Sequence, residues 1–260
     1  MMLLDQSPSE RERFSLAVRK WDVIDLLRRE ASAQVFAQIL TPSTGSDMPG
    51  RPEIMRFAAA TTLTYASELQ RAEMEGVDSL PTLDELEHLL RMHPTRADIV
   101  FVDSWHSYDD TVRTLRLALT MIAHGGFVVI HDCDPPDRDA SPPTPEDCSS
   151  LWCGATWRGF VDVTSSLPTD ATWWVVEFDL GIGVIELPPP RDVPRPHNLA
   201  LRLRRSLASR QPIGGGAPDK VPEGDDESWA WFLEHRVDAL RPVSIEAFRQ
   251  RVARLSTITP

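Results

Sequence analysis

Two short apolar runs in this chain each end in residues that can move protons or hold cations. Residues 99–102 (IVFV) lead into Asp103 and, three positions on, His106, while residues 127–130 (FVVI) lead into His131, Asp132 and Asp134. Carboxylates beside near-neutral imidazoles suit a general base that takes a proton from a hydroxyl, or a seat for a hard divalent ion. His106 is the candidate base, with Asp103 and Asp132 as its acidic companions. Asp103, Asp132 and Asp134 are the candidate ligands of an ion such as Mg²⁺. A carboxylate ending a buried strand is costly without a partner, which favours a ligand-site role for Asp103 over a helix cap. For His106 the alternative is a histidine that hydrogen-bonds Asp103 or Asp132 and only shapes the loop. Alternation along a strand sends His131 and Asp132 to opposite faces, which makes Asp132 the site residue and His131 a structural one.

Positioning these groups requires a particular arrangement of elements. The stretch between the two runs has helical periodicity and reaches Gly125-Gly126, read as the helix stop, so the segment is a strand, a crossover helix and a second strand. Such a unit is right-handed and parallel, and both strand ends open on the same edge of a sheet, where α/β folds bind ligands. Upstream, residues 19–31 space Trp21, Ile24 and Leu27 on one helix face. Residues 34–40 and 59–65 read as strands, 41–50 as a turn-rich loop, and 82–92 as a helix opened by a Thr82–Glu85 capping box. Downstream, prolines keep residues 134–150 irregular, as a lid-sized loop. A helix over 153–165 and a hairpin of 173–179 with 183–187 follow.

The chain has 260 residues and a formal charge of −12, with a pI near 5.0. That charge repels phosphate backbones and anionic lipid, so neither nucleic acid nor a membrane is an expected partner. Lys20 and Lys220 are the only lysines among 27 basic residues, a bias that reads as base composition. No apolar run is long enough to span a bilayer, and the first residues lack the pattern of a secretory leader, so a cytoplasmic location is expected. Cys133, Cys148 and Cys153 do not form paired CxxC units and are expected to be reduced thiols. Three regions are expected: an α/β domain over 1–190, a proline- and glycine-rich linker with a short basic helix over 191–226, and a helical extension over 227–260. In that extension Trp229, Phe232, Leu233, Val237 and Leu240 form a stripe for the main domain or for a second copy in a homo-oligomer.

The segment VDSWHSYDDTVRTLRLAL followed by HGGFVVIHD resembles the small-molecule O-methyltransferase branch of the class I S-adenosylmethionine-dependent methyltransferases. Weaker likeness runs from Trp21 to Leu187, through VIDLLRREASAQVFAQILTPSTG, WCGATWRGF and WWVVEFDLGIGVIEL. The resemblance implies a Rossmann-like α/β fold: a mostly parallel seven-stranded sheet with an antiparallel last strand, here followed by the helical C-terminal extension. It implies S-adenosylmethionine at Gln38, Leu40, Thr41, Ser43, Gly45 and Asp103, a divalent cation such as Mg²⁺ in some members, and O-methylation of a small hydroxylated metabolite, as in specialised metabolism. The sequence departs from the family at the cofactor loop. Gln38 stands where an acid is usual, Gly45 is the only glycine of the expected Gly-rich turn, and the first acid after the second strand is Glu68. These departures favour a rival reading, a protein that keeps the fold but has lost methyl transfer and serves as a binding or partner subunit, or hosts another reaction at the same edge.

Overall fold

A computed structural model describes residues 19–42, 54–148, 151–187 and 220–256. The elements, in chain order, are α1 (Lys20–Glu30), β1 (Val35–Leu40), β2 (Ala59–Thr64), α2 (Glu68–Glu73), α3 (Leu83–Met92), β3 (Ala97–Asp103), α4 (Tyr108–Met121) and β4 (Ile122–Ile130). They continue with α5 (Thr156–Ser165), β5 (Thr172–Val176), β6 (Ile182–Glu186), α6 (Asp225–Leu240), β7 (Pro242–Val243) and α7 (Ile245–Ser256). The strands form one sheet in the order β2-β1-β3-β4-β6-β5-β7, in which β6 alone runs against the others.

Period-two alternation divides each central strand between two cores. Phe36, Ile99, Phe101, Phe127 and Val129 face α1 and α7 through Trp21, Ile24, Leu27, Phe248 and Val252. Ala37, Ile39, Val100, Val102, Val128 and Ile130 face α3 to α6 through Leu86, Leu115, Trp157 and Phe232. The sheet is therefore covered on both sides, which is why β3 and β4 are continuous apolar runs. Thr82 and Glu85 form the expected capping box at the start of α3.

Two expectations need correction. Gly125 and Gly126 do not stop the crossover helix, because α4 ends at Met121 and β4 begins at Ile122. The glycines instead serve an irregularity where β3 and β4 lose register between Ala97/Ile122 and Ile99/Phe127. Gly125 has φ +83°, and a Cβ on Gly126 would meet the Asp98 carbonyl at 2.5 Å. The run over 227–255 is likewise not one helix. Arg241 caps α6 in a left-handed conformation (φ 53°), Pro242 cannot continue a helix, and β7 pairs in parallel with β5. The described C-terminal residues therefore complete the sheet and contribute to both cores. In α6, Phe232 and Leu240 are buried, while Leu233 and Val237 are exposed. Among the described residues no helix is long and apolar enough to cross a membrane.

Candidate functional site

The strand ends place the acidic groups. Asp103 closes β3 in register with Leu40 at the end of β1, and β4 stops at Ile130. Beyond it, Asp132 adopts φ +62°, a left-handed conformation that aspartate tolerates better than most residues. This turn ends the alternation, so His131 and Asp132 come to the same place; the expectation of opposite faces is corrected. The β5–β6 turn holds the new path, since Cys133 N–H donates to the Gly181 carbonyl and Asp134 N–H to that of Leu180, both at 2.9 Å. Gly181 (φ +81°) permits this approach, because a Cβ there would meet Asp134 Cβ at 2.3 Å. The same turn carries Asp179.

Six residues close into a ring of alternating charge. Lys20 Nζ donates to Asp103 Oδ2 at 2.5 Å. His106 Nε2 lies 3.6 Å from Asp103 Oδ1 and 3.1 Å from Asp132 Oδ2. His131 Nδ1 is 3.1 Å from that same Asp132 oxygen, and its Nε2 is 3.4 Å from Asp179 Oδ2. Asp179 returns to Lys20 by accepting its backbone N–H at 2.9 Å, which satisfies one of the unpaired donors in the first turn of α1. Three carboxylates thus face an ammonium and two imidazoles. Burial opposes charging His131, but Asp132 and Asp179 outweigh it and push its pKa up to about 10. For His106 burial again opposes, and Asp132 with Asp103 holds the imidazolium above its ordinary range. Burial and the ring carboxylate keep the Cys153 thiol protonated, 3.7 Å from Asp132 Oδ1.

His106 is fixed from its other side. Its Nδ1–H donates to the Trp152 carbonyl at 2.6 Å, which leaves Nε2 as the nitrogen facing the carboxylates. The chain around Trp152 is held in turn by Ala155 N–H on the His106 carbonyl at 2.7 Å, an approach that Gly154 (φ +54°) makes room for. Trp105 and Trp152 pack edge to face at 4.7 Å. The proline-rich loop, read from the sequence as irregular and lid-sized, is hydrogen-bonded to this region: Cys153 N–H donates to Ala140 O, Trp152 Nε1 to Pro142 O and Trp157 Nε1 to Ser141 Oγ.

Asp103, His106 and Asp132 are thus brought together as expected. Asp134 is not; its carboxylate pairs with the Arg236 guanidinium of α6, with Nε at 2.6 Å, so it is removed from the candidate metal set. His131 takes its place: Asp103, His131 and Asp132 each offer one ligand atom, all within 4.8 Å of one another. Two carboxylates suit a hard ion such as Mg²⁺, and the imidazole widens the choice to Mn²⁺ or Zn²⁺. At the neighbouring strand ends, Leu40 and Thr41 lie beside Asp103, while Gln38 is fully buried and donates to Thr62 Oγ1 across β1 and β2 at 2.9 Å. Ser43 and Gly45 lie outside the described residues. At the end of β2, Tyr65 is buried and donates to Asp110, and Glu68 opens α2 on the surface. Two surface clefts, of about 270 Å³ beside Tyr108 and Arg158 and about 500 Å³ beside Leu89 and Met92, share no lining residue with the ring.

Sequence reasoning missed Lys20, Asp179 and the site role of His131. For Lys20 there was a signal, a lysine opening the first helix of a chain that otherwise uses arginine almost throughout.

Residues 23–133 match the family model described as "Methyltransferase domain". No curated protein matches the chain. Solved structures similar to it include the O-methyltransferase TomG of Streptomyces achromogenes, involved in tomaymycin synthesis and crystallised with S-adenosylmethionine, at 21% identity over 66% of this chain and 82% of that one (TM-score 0.40). An O-methyltransferase of Bacillus cereus in complex with S-adenosylhomocysteine is 15% identical over 69% and 81% (TM-score 0.37). The methyltransferase MycE of the mycinamycin pathway, in complex with Mg, S-adenosylhomocysteine and mycinamycin VI, is 14% identical over 79% of this chain and 52% of that one (TM-score 0.35). The segment that matches the methyltransferase-domain model contains β1 to β4 and, except for Lys20 and Asp179, every residue of the ring.

Proposed function

We propose that the chain catalyses S-adenosylmethionine-dependent O-methylation of a small hydroxylated metabolite held at the ends of β3 and β4. The observation that carries this reading is the fixed orientation of His106, whose Nδ1 is committed to the Trp152 carbonyl and whose Nε2 is turned to Asp103 and Asp132. Once it has lost its resident proton, Nε2 is the nitrogen able to take the proton of an acceptor hydroxyl. Asp132 and Asp103 then stabilise the imidazolium that forms. The cofactor, when bound, supplies an electrophilic methyl group to the acceptor oxygen. Leu40 and Thr41, beside Asp103 at the open end of β1, fit its placement there through their backbone; Gln38 fits it less well, since its amide is directed to Thr62. Positioning and charge stabilisation are the protein's main contributions. Asp103, His131 and Asp132 would hold a divalent ion if one is used, and it would polarise the acceptor oxygen.

Incubation with methyl-labelled S-adenosylmethionine and a panel of phenols and other small alcohols is expected to give a labelled methyl ether. The rate should rise with pH through a midpoint above the ordinary histidine value, because the base must first be free of its proton. Transfer to none of the hydroxyls, or a rate indifferent to His106, would contradict the reading.

A second reading, a binding subunit that keeps the fold without methyl transfer, draws on Gln38 and on Tyr65, which stands near the end of β2 where the family carries an acid.

A further inference from the structure

We propose that Lys20 is the resident cation of the strand-end ring, held on Oδ2 of Asp103 beside the seat a divalent ion would need and so excluding that ion while the ammonium is there. Its placement is fixed by several contacts. Lys20 opens α1, whose start is fixed by the Arg19 N–H on Asp22 Oδ2 at 2.8 Å, and its own backbone N–H is held by Asp179. From there the side chain runs inward, with Nζ 5.4 Å from the centre of the Phe101 ring, and meets Asp103 Oδ2 at 2.5 Å. Both partners are buried, with side-chain exposures of 11% and 3%. A buried carboxylate needs a counter-charge, and here a covalently attached one is already in contact with it.

Asp103 is also one of the three residues whose ligand atoms gather within 4.8 Å. Its Oδ1 faces His106 and His131, at 3.6 and 4.0 Å, and its Oδ2 faces Lys20. A divalent ion seated against Asp103, His131 and Asp132 would put two positive charges beside the ammonium in a region of low dielectric, where like-charge repulsion is strong. Ion and ammonium therefore compete for one carboxylate. An attached ammonium competes at high effective concentration, so metal is expected to bind weakly unless Lys20 is withdrawn. Methyl transfer would give this cation its purpose, as a fixed positive charge near the acceptor oxygen, but the competition follows from the charges alone and stands or falls apart from that reading.

The test is Mn²⁺ binding to the full chain, with no cofactor present, followed by the loss of the free-ion electron paramagnetic resonance signal at one fixed pH. The intact chain is expected to show no saturable binding below millimolar Mn²⁺. Lys20→Met, which keeps an unbranched side chain one atom shorter and removes its charge, should bind at least ten-fold more tightly. Lys20→Arg should bind as weakly as the intact chain, and adding Asp103→Asn to Lys20→Met should abolish the gain. Equal or weaker binding by Lys20→Met, or binding by Lys20→Arg as tight as by Lys20→Met, overturns the proposal. Should Lys20→Met fail to fold, the intact chain still decides: micromolar Mn²⁺ binding that Asp103→Asn removes overturns it, and the absence of such binding upholds it. Cofactor calorimetry tests methyl transfer separately, so failure of one idea is not failure of the other.

Discussion

The ends of β3 and β4 and the ends of β1 and β2 lie on the same sheet edge, yet they are built differently. At β3 and β4, three carboxylates, two imidazoles and an ammonium are cross-linked at 2.5 to 4.0 Å. At β1 and β2 the buried polar groups are neutral, an amide on a threonine hydroxyl and a tyrosine hydroxyl on Asp110. On the proposed function, the contrast follows from what each half would do. Proton transfer and charge stabilisation need ionisable side chains of specific type, whereas a backbone can cradle a cofactor through many side-chain sequences. Changes in the charged half should therefore act on turnover and stability, and changes in the neutral half should be felt mildly.

The largest effect is expected from His106→Ala, which should lower turnover by about 10²–10⁴-fold, the usual range for a lost general base, with cofactor affinity little changed. Steady-state kinetics beside cofactor titration checks the split; equal losses in both would place His106 in binding. Next comes Asp103→Ala, which removes the carboxylate in contact with the buried Lys20 ammonium and should cost about 3–5 kcal/mol in a denaturant melt. A loss near zero would mean that the Lys20–Asp103 pair is not held in solution.

A third effect is pH-dependent. In the metal-free protein His131 keeps its proton up to about 10, while in the unfolded chain it releases it near the ordinary histidine value of 6.5. Its contribution to stability is therefore complete below about 6.5 and is lost as pH climbs through about 10. The slope for one such proton is at most about 1.4 kcal/mol per pH unit. His131→Phe should flatten this part of the stability profile, and an unchanged slope would assign it to another group. The smallest effect belongs to the neutral half. Gln38→Leu removes one buried hydrogen bond and should cost about 1 kcal/mol, with cofactor affinity within a few-fold of the parent. A collapse of cofactor binding there would erase the contrast between the two halves.

The same contrast governs what the sequence made legible. The parallel unit of β3, α4 and β4 could be read from two apolar runs around a helical period, and with it the meeting of Asp103, His106 and Asp132. Groups that arrive by tertiary contact could not be read. Lys20 is 83 positions from Asp103, and Asp179 reaches His131 from a turn whose left-handed backbone at Asp179, Leu180 and Gly181 has no periodic signature. Asp134 was misassigned because its partner, Arg236, lies 102 residues away on α6. His131 was misassigned because strand alternation was carried one residue past the end of β4, into the left-handed turn at Asp132. Local periodicity also joined α6 and α7 across Arg241 and Pro242, although the proline was visible.

The central claim is that this edge still binds the methyl donor, and isothermal calorimetry with S-adenosylmethionine and S-adenosylhomocysteine tests it most directly. The account predicts saturable, one-to-one binding of both, retained in His106→Ala. No heat at millimolar ligand, from protein whose thermal melt shows it folded, would contradict it and leave the fold without its methyl-transfer reading.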